Sequence, residues 1–299
     1  MDKVIRGIAA DGTIRVMSAI TTETVAEAIR RHNTAPTASA AFGRVLTGTI
    51  LLASTLKDFD RITLKIECDG PIGSITAEAT PDGKVRGYVK NPMADLPLKE
   101  NGKFDVKGII GNGMLYVIRE EGFDIGLYRE PYYGSVPIIS GEIAEDIAYY
   151  LAKSEQIPSA VILGVLLHNQ APYVRAAGGV MIQVMPGADE KIVQAIEETI
   201  KKAPQLTTVV TQGASVEDLT RMALGEVSFE ILQEKPVKFE CNCSLERAIR
   251  VVSALNKDEI ENMLEENKGA LITCGFCNAV YKLEEKDLMN ILDSIGQEQ

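Results

Sequence analysis

Four of the five cysteines lie in the last quarter of the chain, as Cys241-Asn242-Cys243 and Cys274-Gly275-Phe276-Cys277. Two thiol pairs this close in sequence restrict what the segment around them can become. Lys235 to Ser294 reads as a small unit with few aromatic residues. A core of that size benefits from a covalent or metal staple. Four thiolates around one tetrahedral zinc ion are one such staple, and a pair of disulfides is the other. The 30 residues between the two motifs leave room for helices.

Compartment bears on that choice. The first residues, Met-Asp-Lys-Val-Ile-Arg, carry no apolar run of signal-peptide type. No stretch of 18 apolar residues occurs, so no membrane span is expected. A cytoplasmic location follows as the expectation, and cytosolic thiol pairs read as metal or redox chemistry before structural disulfides. The chain has 299 residues, enough for about two domains. Its formal net charge is -11, so it lacks the field that draws proteins to phosphate backbones or anionic membranes. Neither nucleic acid nor membrane is expected as a partner. With two histidines, a His-rich metal site or a His-based triad is not expected.

The expected fold class is α+β: a sheet-and-helix domain over residues 1–185, a helical linker over 186–233, and a zinc-binding domain over 234–299. Val4 to Ala9 and Thr13 to Ala19 flank the turn pair Asp11-Gly12. Arg61 to Asp69 alternates, with Ile62, Leu64, Ile66 and Cys68 on one face. Further strands are expected around Asp82-Gly83, Asn101-Gly102 and Asn112-Gly113. Ala160 to Leu167 reads as a strand buried on both faces. Thr22 to His32 is a helix. Pro36 to Leu56 is a longer one, rich in Ala, Gly, Ser and Thr, whose small side chains suit close packing between sheets. Asp189 to Ala203 carries Ile192, Ile196 and Ile200 on one face, and Ser215 caps a helix to Leu224.

Within the terminal unit, helices are expected from Ser244 to Leu255 and from Asp258 to Glu266. Two strands, Ala270–Thr273 and Ala279–Leu283, join through the second thiol pair, and a helix from Lys286 to Ile295 closes it. Four thiolates and one zinc ion sum to a net charge of about −2. Ser244 puts a positive helix end beside the thiols, and Arg247 and Arg250 follow as candidate compensators or as plain surface arginines. Thiolate pairs are also oxidisable, so the spacing fits a structural knuckle and a redox switch alike. A thioredoxin-type dithiol at Cys274 and Cys277 would need a helix after the motif, where a strand is expected. Cys68 reads as a core thiol. No nucleotide motif of GxxxxGK or GxGxxG type occurs, and no nucleotide or catalytic residue is expected.

The whole chain resembles the redox-regulated 33 kDa heat-shock chaperone family. The resemblance rests on Arg31-His32 with Pro36-Thr37-Ala38-Ser39-Ala40-Ala41, on Gly70-Pro71-Ile72-Gly73 and on Asn91-Pro92. It continues through Ser154-Glu155-Gln156-Ile157-Pro158-Ser159, Ala176-Ala177-Gly178-Gly179, Met185-Pro186-Gly187 and the terminal CxC and CxxC. The resemblance implies a holdase chaperone that is not an enzyme and uses no ATP. It implies one zinc ion on Cys241, Cys243, Cys274 and Cys277 in a reduced, inactive form. Oxidation would then make disulfides Cys241–Cys243 and Cys274–Cys277, release zinc, and unfold the terminal domain and linker. Unfolded client proteins would bind the exposed surface, and the active form would be a homodimer.

Overall fold

The computed structural model describes residues 1–297 except Phe59, 123–124, 127–128 and 169–173. The chain divides into two compact units, Met1–Glu240 and Cys241–Gln299. The first opens with β1 (Lys3–Ala9), β2 (Ile14–Ile20), α1 (Thr22–His32) and α2 (Pro36–Ala53). Then come β3 (Arg61–Cys68), β4 (Ser74–Ala79), β5 (Lys84–Val89), α3 (Val106–Ile110), β6 (Gly113–Glu120) and β7 (Tyr132–Pro137). It continues with α4 (Ala144–Lys153), β8 (Ser159–Leu167), β9 (Val174–Val184), α5 (Glu190–Lys202), α6 (Leu206–Thr211) and α7 (Val216–Leu224). It ends with β10 (Phe229–Pro236) and β11 (Lys238–Phe239). The mixed α+β class is as expected.

Two sheets result. One has the order β10-β1-β2-β9-β8, the other β11-β5-β4-β3-β6-β7. Pairing is antiparallel throughout except for β11 on β5. α2 is buried along nearly its whole length between the sheets. Small residues permit this. A Cβ on Gly43 would stand 2.7 Å from Val25 of α1 and 2.9 Å from Val165 of β8. Two hydroxyls inside α2 are satisfied within it: Thr47 and Thr49 donate back to Gly43 and Val45 carbonyls at 2.9 and 2.7 Å. Arg44 pairs with Glu142 at 2.6 Å.

The five-stranded sheet carries a second cover. Ile14, Val16, Val180 and Ile182 on its other face pack with Ile196, Leu206, Leu219 and Leu224 of α5, α6 and α7. The Ile192, Ile196 and Ile200 stripe therefore has its partner in this sheet. One polar pair lies inside: Ser18 and Thr220, both fully buried, share a 2.7 Å hydrogen bond. At the margin, Lys3 of β1 reaches Glu217 of α7 and Glu234 of β10, each at 3.2 Å.

Several local expectations need correction. Ala9 pairs with Ile14, so the first hairpin has a four-residue loop in which Ala10, Asp11 and Gly12 all take positive φ. No strand forms around Asn101-Gly102; Lys103 N bonds Asn101 Oδ1 at 3.1 Å and Gly102 N bonds Lys99 O at 2.8 Å, closing a tight turn. Around Asn112-Gly113 the expected strand does form, as β6, after Gly111 has ended α3 at φ +68. β8 is an edge strand, most of it half-buried, because helices cover its faces and leave its outer edge unpaired by any described strand. His32 is buried with its ring 5.6 Å from that of Phe42, and exposed His168 follows β8. No helix among the described residues is long and apolar enough to cross a membrane.

Asp146 organises the start of α4. Its buried carboxylate accepts from the Ile139, Ser140 and Ile143 N–H groups, each at 2.9 Å. Replacing it strands three donors, the Ile143 N–H in a buried place and the other two partly buried. Asp146→Ala should destabilise the first unit by about 3 kcal/mol or more, and Asp146→Asn by less, because one acceptor oxygen remains. Urea unfolding followed by the tyrosine signal reads the difference.

Candidate metal centre

The second unit is built from α8 (Leu245–Ser253), α9 (Lys257–Asn267), β12 (Gly269–Thr273), β13 (Val280–Glu284) and α10 (Glu285–Gln297). Each matches an expected element to within two residues. Its core is small: Ala248, Val252, Ile260, Leu283, Leu288 and Ile291 are buried, with half-buried neighbours around them.

Local structure sets each thiol. Cys241 and Cys243 lie on the extended segment leading to α8, whose first turn is capped by Ser244 Oγ accepting from Arg247 N at 3.2 Å. Cys274 and Cys277 occupy the turn between β12 and β13. Cys274 N donates to Ala279 O at 2.9 Å, and Asn278 N donates to Cys274 O at 2.8 Å. Asn278 takes φ +55, a conformation its short polar side chain tolerates, and this turns the chain back into β13. Cys277 is thus followed by a strand and not by the helix that a thioredoxin-type dithiol requires.

These two segments bring the four sulfur atoms together, all within 4.8 Å of one another. Cys241 and Cys274 Sγ are 3.8 Å apart, Cys243 and Cys277 Sγ 3.3 Å. None of these is a disulfide; all five cysteines are free. Four sulfurs at about 2.3 Å from a tetrahedral zinc ion stand about 3.8 Å from each other. The donor set and spacing fit, so the cluster could hold a metal ion. Cys277 is buried and the other three are half-buried.

Tyr281 completes the surroundings. Its Oη donates to Cys243 Sγ at 3.0 Å. Burial pushes the Cys243 thiol up, but the hydrogen bonds from Tyr281 and the neighbouring thiols outweigh it and bring it down to about 7. Burial, with the adjacent thiols, pushes Cys277 up to about 12. The hydrogen bond to Cys243 pushes the Tyr281 phenol up to about 12 as well. Sequence reasoning placed Tyr281 in a strand and gave it no role. The signal available was its position four residues after Cys277, on the face of β13 that also carries buried Leu283. Arg247 and Arg250 are both exposed on α8. Cys68 belongs to the first unit, at the end of β3, where burial pushes its thiol up and Gly73 O lies 3.5 Å from its sulfur.

Comparison with known proteins identifies the family. The sequence profile of the family described as Hsp33 protein matches residues 2–284. The chain belongs to the Hsp33 family. It is 44% identical over 299 residues to the 33 kDa chaperonin of Acetivibrio thermocellus, covering all of this chain and 99% of that one. It is 43% identical over 296 residues to the 33 kDa chaperonin of Staphylococcus aureus, covering 99% of each. The crystal structure of the 33 kDa chaperonin from Thermotoga maritima superposes with a TM-score of 0.90 at 36% identity, over 99% of both chains.

Tyr281 supports Cys243 from outside the donor set, as outer partners of metal ligands commonly do. Tyr281→Phe should leave the unit folded and weaken metal retention by roughly tenfold. Competition between the reduced, zinc-loaded protein and a chromophoric chelator measures this. Retention equal to the parent's would remove the tyrosine from the site.

Proposed function

We propose that this chain is a chaperone of the holdase type, switched by oxidation of its four-cysteine centre and working without nucleotide in a reducing cytoplasm. The observation that carries the reading is the convergence of four thiols in a unit whose buried core is only a handful of residues. Family membership supports the chaperone role, and the apolar interface beneath α5, α6 and α7 supports the means.

In the reduced state, Cys241, Cys243, Cys274 and Cys277 hold one zinc ion as thiolates. Zinc supplies structure here, since the binding energy of such a site is folding energy, roughly 10–16 kcal/mol in small fingers. Tyr281 donates to Cys243 and stabilises its thiolate form. Oxidation removes the ligands. Two thiolates become one disulfide; their two electrons pass to a peroxide, whose O–O bond breaks, and with two protons from solvent it leaves as two waters. Once the unit loosens, only thiols close in sequence stay near each other, which favours Cys241–Cys243 and Cys274–Cys277. The small core cannot hold the unit folded by itself. Opening of α5, α6 and α7 then uncovers Ile14, Val16, Val180 and Ile182. Such a surface takes up the exposed apolar segments of unfolded proteins, or a second copy of the chain as the active dimer.

Light scattering of an unfolding client protein tests this directly. Zinc-loaded, reduced protein should leave aggregation unchanged, and peroxide-treated protein should suppress it. Suppression in both states, or in neither, would separate the thiols from the function. Cys274→Ser should lose zinc and suppress aggregation partly without oxidant; a zinc-free variant that is inert in both redox states would count against the switch.

A further inference from the structure

The chain reaches Cys241 through β11, the last element of the first unit. Two residue pairs hold this strand to the sheet, Lys238 opposite Lys84 and Phe239 opposite Val85. Lys238 N donates to Gly83 O at 3.1 Å and Glu240 N to Val85 O at 2.9 Å. The strand's apolar anchor is Phe239, which is 8% exposed, and buried Val237 stands at the joint with β10. Its ring stands edge-on to His32 at 6.4 Å, and the Arg31 guanidinium lies over it at 5.7 Å. Upstream, the same stretch of chain begins at Phe229, which packs into the cluster beneath α5, α6 and α7. Arg221 of α7 lies over the Phe229 ring at 5.9 Å. One extended segment, β10 and β11, therefore has one aromatic seated under the helical cover and another seated on α1 two residues before the first thiol.

We propose that β10–β11 is a strap that transmits the state of the cysteine unit to the cover, and that Phe239 is its catch. While Phe239 is seated, disorder beyond Cys241 stops at β11. When it is unseated, fraying runs back along β10, an edge strand whose pairing with β1 already breaks register between Arg6 and Gly7. It then reaches Phe229 and α7. The joint between β10 and β11 is tight on its other side: a Cβ on Gly83, which sits at φ +87, would stand 2.0 Å from Pro236 O. Phe239 is a positioning residue here, acting on the cover and not on the thiols. The functional consequence rests on the chaperone reading; the coupling itself does not.

The test uses the full-length chain, zinc-loaded and reduced, as parent, Phe239→Ala, Phe239→Leu and Gly83→Ala. Hydrogen exchange across residues 190–224 and zinc content are measured on each. Phe239→Ala and Gly83→Ala should exchange those amides about tenfold faster or more with zinc content unchanged, and Phe239→Leu should stay near the parent. Gly83→Ala attacks the strap from the opposite side, so the test survives if Phe239→Ala does not fold. Parent-like exchange in both variants, or faster exchange only where zinc is lost, would overturn the proposal. Client aggregation measured on the same samples separates the two ideas. An open cover with no suppression leaves the strap standing and fails the chaperone reading.

Discussion

Four sulfur atoms within 4.8 Å of one another are tolerable as neutral thiols or as ligands of a cation, and not as four free thiolates. Like charges that close disfavour ionisation strongly. The opposite directions at Cys243 and Cys277 express this: where a hydroxyl donates, the thiol gives up its proton more easily, and where burial and neighbouring sulfur dominate, it holds on. A divalent metal ion would ease the conflict by binding all four thiolates at once, cutting their summed charge from about −4 to about −2. The second unit's architecture is arranged around that resolution. One hairpin turn and one helix cap set the sulfur positions, while the apolar core between α8, α9, β13 and α10 stays small. A larger core would make the unit indifferent to its thiols.

The first unit shows a different economy. Its five-stranded sheet is covered on both faces, by α2 on one side and by α5, α6 and α7 on the other. The two covers differ in kind. α2 is nearly all small or apolar, bonds the hydroxyls of Thr47 and Thr49 internally, and is enclosed between two sheets. It has nowhere to go without dismantling both. The outer helices touch one sheet, α5 and α7 carry exposed charged residues, and Ile192, Val193 and Ile200 are left only half-buried. Fewer of their side chains are buried than those of α2, and sparse burial is where local opening costs least.

Much of this was legible in the sequence because the signals were local. Alternation in Arg61 to Asp69 gives β3, small residues give α2, and the isoleucine spacing gives the inner face of α5. Where the outcome depends on distant packing, the sequence is silent or misleading. α6 is Leu-Thr-Thr-Val-Val-Thr, a composition poor in helix formers, and it is held in place by Leu206 against the sheet. β10 has mostly exposed side chains, so its alternation carries no hydrophobic signature; it exists through pairing with β1. β8 reads as interior because it is uniformly apolar, yet uniform apolarity does not say whether a strand is flanked on its edges or on its faces. At the metal centre the thiols declared themselves, and Tyr281 did not, because its contact with Cys243 spans 38 residues.

The buried Ser18–Thr220 pair bears on how a cover can be both closed and removable. Two hydroxyls bonded to each other in an apolar interface add little net stability, since each is equally content with water. They exact a cost only from misplacement: a cover shifted by one helical turn would leave Ser18 buried without Thr220, while Thr220 would keep its bond to Val216 O at 3.1 Å. The pair therefore fixes where α7 sits while contributing little to how tightly it sits. Lys3, bonded to both Glu217 and Glu234 at the margin, acts in the same sense, because ion pairs this open to solvent, one half-buried and one exposed, are worth little. Position is specified by polar groups and closure by apolar ones, so losing apolar purchase at one end of the strap opens the cover without erasing the information needed to close it again.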